Sequence, residues 1–321
     1  MSRRRRRGLA GLALAVAAVV SLGGAPARAA APLTVLLDWF VNPDHAPLIC
    51  AQASGAFAQA GLDVKFVAPA DPSMPPRLVA AGYGDIAIAS QSTLYIDVSH
   101  GLPLMRVGVL MSGPVLSLAA IDTARIHRIA DLRGRRIGMA NISPEITRAG
   151  LATILSTAGL SLNDVKLVNI GDQLTSSLLT HQVDAVPVVR TFEGIELEQH
   201  GATPIEFPFE DYGVPPADTF IFVVRRDRTH DPRIGRFLGA VRQGAAYLRA
   251  HPQECLAWFF KTHPELNNPL NRAAWFASIP LFAQDPSALD GARYDRYADY
   301  LVRRGVIPKR PLLSDYAVEI R

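Results

Sequence analysis

"LTVLLDWFVNPDHAPLICAQ", residues 33–52, joins an apolar run to a polar turn and then to a helical pattern. The apolar run at 33–37 predicts a buried strand. Asp44 and Pro47 are the residue types expected at the cap and in the first turn of a helix. A strand that leads directly into a helix is the repeating unit of α/β folds. The polar and aromatic residues between the two elements therefore lie where such folds carry function.

Short apolar runs alternate with helical patterns along most of the chain, and its last part turns mostly helical. The predicted strands are residues 33–37, 63–68, 86–90, 105–110, 117–121, 136–140, 165–170, 183–189 and 219–224. The predicted later helices are residues 145–158, 175–182, 192–200, 233–250, 253–261, 272–282 and 294–305. This order predicts an α/β fold with a parallel sheet and C-terminal helices.

Two crossings of the chain divide this pattern into two lobes. We expect residues 33–114 and 216–321 to form the first lobe, and residues 115–215 to form a second, inserted lobe. Prolines at position 114 and at positions 215 and 216 mark the crossings. Two lobes joined by two strands make a hinged clamp that closes around a ligand.

The first 29 residues have the composition of a secretory leader. Five arginines precede an apolar stretch and a small-residue exit that ends at Ala29. We expect cleavage near Ala29 and a periplasmic mature protein, exported by either the general or the twin-arginine route. The leader holds six of the 33 Lys and Arg residues and none of the 29 Asp and Glu residues. The mature chain thus has 27 basic against 29 acidic residues, which argues against nucleic-acid binding.

Two cysteines, Cys50 and Cys255, stand far apart in the sequence. An oxidising compartment would permit them to pair, and this alternative stays open. We expect two buried free thiols.

Three loops at predicted strand ends carry candidate ligand-binding residues, because ligands of open α/β sheets bind at the carboxyl ends of strands. The candidates in the first two loops are Asp38, Trp39, Asn42, His45, Ser90, Gln91 and Tyr95. In the third loop, Glu193 is suited to two hydrogen bonds with a heteroaromatic amine. A structural role stays open for each loop, with Trp39 as a core residue, Ser92 as a helix cap and Glu193 as a first-turn acid.

Catalytic and metal-binding motifs are missing from the sequence. It has no G-x-S-x-G or H-E-x-x-H motif, and His45, His100 and His181 lack metal ligands close by in the sequence. Ser143 and Pro144 predict a helix start, but the loop lacks the glycines and the lysine of a phosphate-binding loop. We therefore expect a protein that is not an enzyme and that uses no metal or cofactor.

Several segments together resemble one family. They include "LDWFVNPDHAPL" (37–48), "PADPSMPPRLVAAGYGDIAIASQSTLY" (69–95) and "YGVPPADTFIFVVRRD" (212–227). Over about residues 33–227 the chain resembles the periplasmic substrate-binding proteins of ABC transporters for pyrimidine thiamine precursors. That family is related to the yeast pyrimidine-precursor synthase and to the SsuA-like proteins. The resemblance implies a two-lobed, type 2 periplasmic binding protein fold (a Venus flytrap), a monomer, and a transporter permease as partner.

The resemblance also implies a ligand and its contacts. The ligand would be a 4-amino-5-(aminomethyl)pyrimidine or its N-formyl derivative, with Trp39 stacked on the ring and Glu193 at the aminopyrimidine edge. The other residues that match the family's motifs are Ser90, Gln91, Tyr95, Asp38, Asn42 and His45. The segment "VVRTFEG" lacks the extra Trp or Tyr that often precedes the family's Glu.

Two alternatives stay open. The first is the same fold with another small ligand, such as an alkanesulfonate or a different aromatic compound. The second is a synthase that makes the pyrimidine from a pyridoxal-derived precursor and histidine, in which the resemblance would give His45 a role. None of the four lysines of the chain lies in the first motif.

Overall fold

The computed structural model describes residues 30–140 and 143–320. The predicted leader, its cleavage point at Ala29, and Asn141 and Ile142 before the helix start at Pro144 lie outside these ranges. Within them, no helix combines the length and the apolar composition needed to cross a membrane.

Five strands form the larger sheet: β1 (Ala31–Leu36), β2 (Leu62–Val67), β3 (Ile86–Ala89), β4 (Leu104–Met111) and β10 (Phe220–Arg225). Their order is β2–β1–β3–β10–β4, with β1 parallel to β2 and β3 and with β10 antiparallel to β3 and β4. The prediction of a parallel sheet is therefore wrong for β10. The chain leaves the sheet after β4 and returns through β10 at the same end, so β10 runs in the opposite direction.

Helices cover both faces of this sheet. They are α1 (Ala46–Ala53), α2 (Ala56–Gln59), α3 (Pro75–Ala80), α4 (Gln91–Ser99), α8 (Pro232–Ala250), α9 (Pro252–Thr262), α10 (Pro269–Ser278) and α11 (Gly291–Arg303). Along β3, Ile86 and Ile88 face the core that includes α1 and α8, while Ala87 and Ala89 face the core that includes α11. Burial on both faces explains why the strand is apolar throughout. The predicted helical tail is confirmed.

A second group of strands comprises β5 (Leu116–Ile121), β6 (Arg136–Met139), β7 (Lys166–Asn169), β8 (Val186–Val189) and β9 (Pro204–Pro208). Strand β5 lies between β8 and β9 and is antiparallel to both, while β6 is parallel to β7. A bridge between Ile137 and Ala185 links the two sets. Three helices pack against these strands: α5 (Pro144–Ser156), α6 (Leu174–Leu179) and α7 (Ile195–Gln199).

Strand β9 is absent from the predicted strands, because its sequence PIEFP begins and ends with proline. Proline has no backbone N–H to donate to a neighbouring strand, so a segment bounded by prolines resembles a loop. In the structure β9 pairs with β5 alone and is an edge strand of its sheet. An edge is the position where a sheet tolerates proline.

Cys50 and Cys255 form a disulfide, so the expectation of two free thiols is wrong. Their Cα atoms are 5.5 Å apart, and both side chains are fully buried in one hydrophobic core. The bond joins α1 to α9 across 205 residues of sequence. The sequence spacing did not reveal this pairing, since it depends on the C-terminal helices folding back onto α1.

Two neighbouring segments connect the strand groups, one after β4 and one before β10. The Thr219 hydroxyl donates to the Gly113 carbonyl at 2.5 Å, so the segments run side by side. Val214 packs against cores on both sides of the connection. The lobe boundaries at residues 114/115 and 215/216 stay a prediction, and we propose to keep them because both fall within these segments.

Candidate functional site

The loop after β1 is organised by Asn42. The Asn42 Oδ1 atom accepts the Asp44 N–H at 2.8 Å, and its Nδ2 donates to the Phe40 carbonyl at 3.0 Å. Asn42 is thereby the cap of a short 3-10 turn, Pro43–His45, that leads into α1. The prediction that Asp44 is the cap is wrong. Asn42 directly precedes the turn, so its side chain can accept a backbone N–H of the first turn. Asp44 is already inside the turn and is therefore not at the cap position.

His45 holds Asp38 in place from inside the protein. The residue is 2% exposed, and its Nε2 lies 3.0 Å from Asp38 Oδ1. The Asn42 N–H, which can only donate, points to His45 Nδ1 at 3.3 Å. Nδ1 therefore accepts, and Nε2 carries the proton that is donated to Asp38. With both nitrogens engaged and almost no exposed surface, His45 supports the loop and offers no contact to a ligand in this conformation.

Trp39 follows Asp38 and forms an aromatic pair with Phe40. The ring centroids are 5.5 Å apart, with an interplanar angle of 76°. The Trp39 side chain is half-buried, and Phe40 is 63% exposed. Trp39 thus keeps part of its surface free beside a carboxylate whose position His45 fixes.

Ser90 follows β3 directly and caps α4. Its Oγ accepts the Thr93 N–H at 3.1 Å and lies 2.9 Å from the Ser92 hydroxyl. The cap of α4 is therefore Ser90, and the alternative that Ser92 fills this role is wrong. The start of α5 differs: Ser143 takes the predicted cap position with φ +46°, but its side chain makes no capping bond.

Gln91 and Tyr95 belong to a buried hydrogen-bond network. Gln91 Oε1 accepts the Asp218 N–H at 2.7 Å, and Nε2 donates to the Tyr95 hydroxyl at 3.0 Å. The Tyr95 hydroxyl then donates to the Tyr294 carbonyl at 2.8 Å. Both side chains are completely buried. In this conformation they link α4 to the segment before β10 and to α11, and they present no surface to a ligand.

Glu193 lies in a single π-helical turn, Arg190–Gly194, directly after β8. Its Oε2 accepts the Val189 N–H at 2.9 Å. Burial raises the pKa of Glu193 to about 7, against the lowering effect of the backbone N–H groups of Val189 and Glu193 itself. The charge of Asp44 adds to the rise. A π-helical turn often marks a functional position, and the sequence pattern showed only an ordinary helix here.

Asp44, in the 3-10 turn before α1, is a second acid with a raised pKa. Burial raises the pKa of Asp44 to about 6, while a hydrogen bond from Ser278 and the proximity of His45 lower it. The Ser278 hydroxyl donates to Asp44 Oδ1 at 2.9 Å. Sequence reasoning missed both residues, because Asp44 resembled a cap and Ser278 carries no recognisable motif.

Helix α10 connects the two loops. It packs against the 3-10 turn that contains Asp44 and against the π-helical turn that contains Glu193. Both turns contact α10, and the charge of Asp44 raises the pKa of Glu193, so the first and third predicted loops lie near one another. Gln91 and Tyr95 point instead toward α11. That Trp39 and Glu193 face each other stays a prediction.

Arg190 is the basic residue closest in sequence to Glu193, and its guanidinium group is already bonded to other groups of the protein. Its Nη2 donates to the Pro114 carbonyl at 2.6 Å and to Glu210 Oε1 at 2.8 Å. These contacts hold the start of the π-helical turn against the segment that follows β4. The described residues contain no group of three or more His, Cys, Asp or Glu side chains arranged to hold a metal ion.

Residues 42–255 match the family described as "NMT1/THI5 like". A relative from Haemophilus influenzae, whose name refers to thiamine biosynthesis, is 42% identical over 92% of this chain and 94% of its own length. A formylaminopyrimidine-binding protein from Halalkalibacterium halodurans is 29% identical over 74% of this chain and 72% of its own length. A protein from Legionella pneumophila named 4-amino-5-hydroxymethyl-2-methylpyrimidine phosphate synthase is 25% identical over 78% of this chain and 80% of its own.

The fold is that of periplasmic binding proteins. The alkanesulfonate-binding protein SsuA from Xanthomonas axonopodis pv. citri superposes with a TM-score of 0.70. The match covers 91% of this chain and 99% of SsuA, at 18% sequence identity. The predicted two-lobed α/β fold with C-terminal helices is confirmed, and at this identity the likeness concerns the fold alone.

Proposed function

We propose, given that this chain belongs to the NMT1/THI5-like family, that it is an extracytoplasmic solute-binding protein for an aminopyrimidine precursor of thiamine. The names of its relatives support a pyrimidine-related thiamine precursor as ligand. The finer proposal is formylaminopyrimidine or a close relative of it, bound between the lobes and delivered to the permease of an ABC importer.

The observation that carries this proposal is the Glu193 carboxyl group, held at a strand end with its pKa raised to about 7. An aminopyrimidine edge presents an exocyclic N–H donor beside a ring nitrogen that accepts. A carboxyl group that retains a proton complements both, because it donates through one oxygen and accepts through the other. The Val189 N–H takes one lone pair of Oε2 and makes no bond to Oε1. Trp39, half-buried at the end of β1, supplies the flat face on which a ring would stack.

A binding protein accounts for the site better than a synthase does. Both ring nitrogens of His45 are engaged inside the protein, so the histidine is not free for chemistry. Synthase-named relatives make the enzyme the second candidate function. It predicts that the purified protein binds pyridoxal phosphate and shows the corresponding absorbance band, whereas the proposed function predicts no such band.

An anionic ligand such as an alkanesulfonate fits the site less well. Two acids, Asp44 and Glu193, lie near each other, and Arg190 is paired with Glu210. An anion here would have to approach two carboxyl groups without a free cation from Arg190 to neutralise it.

The disulfide supports an extracytoplasmic location. Disulfides persist in oxidising compartments and are rare where thiols are kept reduced. The Cys50–Cys255 bond, buried in a core of the first lobe, fits the periplasm that the secretory leader predicts. A permease partner follows from the same location and fold, since a binding protein outside the membrane requires a carrier to import its ligand.

Thermal-shift screening tests the proposed function. The ligands would be formylaminopyrimidine, 4-amino-5-(aminomethyl)pyrimidine, the hydroxymethylpyrimidine, thiamine and taurine. A ligand that binds only the folded state raises Tm by mass action, so at least one of the aminopyrimidines is expected to raise Tm in a concentration-dependent way. A rise with taurine and none with any pyrimidine would refute the proposal in favour of a sulfonate.

A further inference from the structure

Ser278, the last residue of α10, turns its hydroxyl to a loop 234 residues earlier in the sequence. The side chain is completely buried, and Oγ donates to Asp44 Oδ1 at 2.9 Å. A buried hydroxyl that donates to a carboxylate makes a charge-assisted hydrogen bond, which is roughly twice as strong as a neutral one. The contact therefore orients Asp44 and favours its ionised form.

Few charged or titratable groups face Asp44. Asp38 and His45 come from its own loop, and Glu193 comes from the π-helical turn across α10. Of the groups that act on Asp44, Ser278 alone donates a side-chain hydrogen bond to its carboxyl group. Helix α10 contacts both turns, so Ser278 lies at the junction of the two loops that the proposed ligand would touch.

We infer that Ser278 is a positioning residue of the ligand site: its hydrogen bond orients the Asp44 carboxyl group on the wall next to Glu193. The inference rests on the proposed function and adds to it a residue from the C-terminal helices. Ser278 acts through Asp44 and makes no contact with the ligand.

The hydrogen bond and burial act on Asp44 in opposite directions. Burial raises the pKa of Asp44, and the Ser278 hydroxyl lowers it. Ser278→Ala removes the lowering influence, so Asp44 gains its proton at a higher pH. The charge of Asp44 also raises the pKa of Glu193, so a more protonated Asp44 lets Glu193 ionise at a lower pH. The pH profile of ligand affinity is expected to change as a consequence, which a purely structural role of Ser278 would not cause.

The test combines a titration without ligand and a binding profile. Carboxyl-carbon NMR would follow the protonation of Asp44 in the wild-type protein and in Ser278→Ala. Calorimetry with the aminopyrimidine that gives the largest thermal shift would measure Kd from pH 5 to pH 8. We expect the Asp44 titration to move to higher pH in Ser278→Ala, and the affinity at pH 7 to fall about fivefold to tenfold.

Asp44→Asn provides the matched control. The Asn side chain still accepts a hydrogen bond from Ser278, but it does not titrate. In the Asp44→Asn background, Ser278→Ala is expected to leave the shape of the pH profile unchanged, because the two residues act as one unit. An equal change of shape in both backgrounds would overturn the inference.

The outcomes separate this inference from the proposed function. If the Asp44 titration is the same in Ser278→Ala and in the wild type, the inference fails whatever the ligand data show. If the titration moves but affinity and pH profile stay unchanged, Ser278 is structural and the inference also fails. If the wild-type protein binds none of the aminopyrimidines, the proposed function fails, and the positioning role fails with it.

Discussion

Replacing Glu193 by Gln changes the charge of one side chain and keeps its shape. The Gln side chain can still accept the Val189 N–H through its amide oxygen, as Glu193 Oε2 does at 2.9 Å. The amide is neutral and cannot exchange a proton with the ring nitrogen, so the charge-assisted hydrogen bond to the pyrimidine becomes a weaker neutral one. Losing a hydrogen bond that involves a charged or proton-sharing group weakens binding by about 1.5–3 kcal/mol. This corresponds to a Kd raised by about one to two decades.

The same substitution should not weaken the unliganded fold. Burial raises the pKa of Glu193 to about 7 from a usual 4.5. The folded protein thus retains a proton that the unfolded chain releases, and above pH 7 the buried charge destabilises the fold by at most ~3 kcal/mol. Glu193→Gln removes this penalty, so Tm at pH 8 is expected to stay equal or to rise.

Isothermal titration calorimetry at pH 7 measures the loss of affinity, with Glu198→Gln as the control. Glu198 is exposed on α7, five residues further along the chain. It has the same chemistry but no place in the proposed site. The reasoning is refuted if Glu193→Gln binds as tightly as the wild type, or if Glu198→Gln loses as much affinity as Glu193→Gln.

Three further predictions concern the ring platform, the acids and the disulfide. Trp39→Ala removes the stacking face and is expected to raise Kd by about 10–100-fold, whereas Trp39→Phe retains most of the affinity; calorimetry distinguishes the two. The pKa values of Asp44 and Glu193 are both raised, to about 6 and about 7, so their protonation stabilises the fold and Tm should fall as pH rises from 5 to 8; a Tm that rises across this range contradicts the assignment. Replacing Cys50 and Cys255 together by Ala opens a loop of 205 residues and is expected to lower the free energy of unfolding by about 3–5 kcal/mol in urea titrations, and unchanged stability would show that the bond does not form.

The sequence was sufficient for most of the first lobe and for the fold class, because local patterns determine them. Apolar strands such as 86–90 are followed by capped helices, and this alternation survives in the structure as β3 and α4. Strand β9 was not predicted, because its prolines are typical of loops and are tolerated in a strand only at the edge of a sheet. The direction of β10 escaped as well, because it depends on where the chain re-enters the sheet.

The candidate site was predictable only where its chemistry is local. Trp39 and Glu193 each stand at a strand end, which is visible from periodicity. Ser278 and the disulfide depend on contacts across 234 and 205 residues, which no local pattern encodes. Gln91 has a polar side chain at a strand end but is completely buried, because Asp218 and Tyr95 satisfy its amide.

A crystal structure of the protein grown with formylaminopyrimidine or its deformylated amine tests the central claim most directly. We expect electron density for one flat ring between the lobes, stacked on the indole of Trp39, with its amino edge within hydrogen-bond distance of the Glu193 carboxyl group. A ligand bound elsewhere, or a ring whose amino edge points away from Glu193, would contradict it.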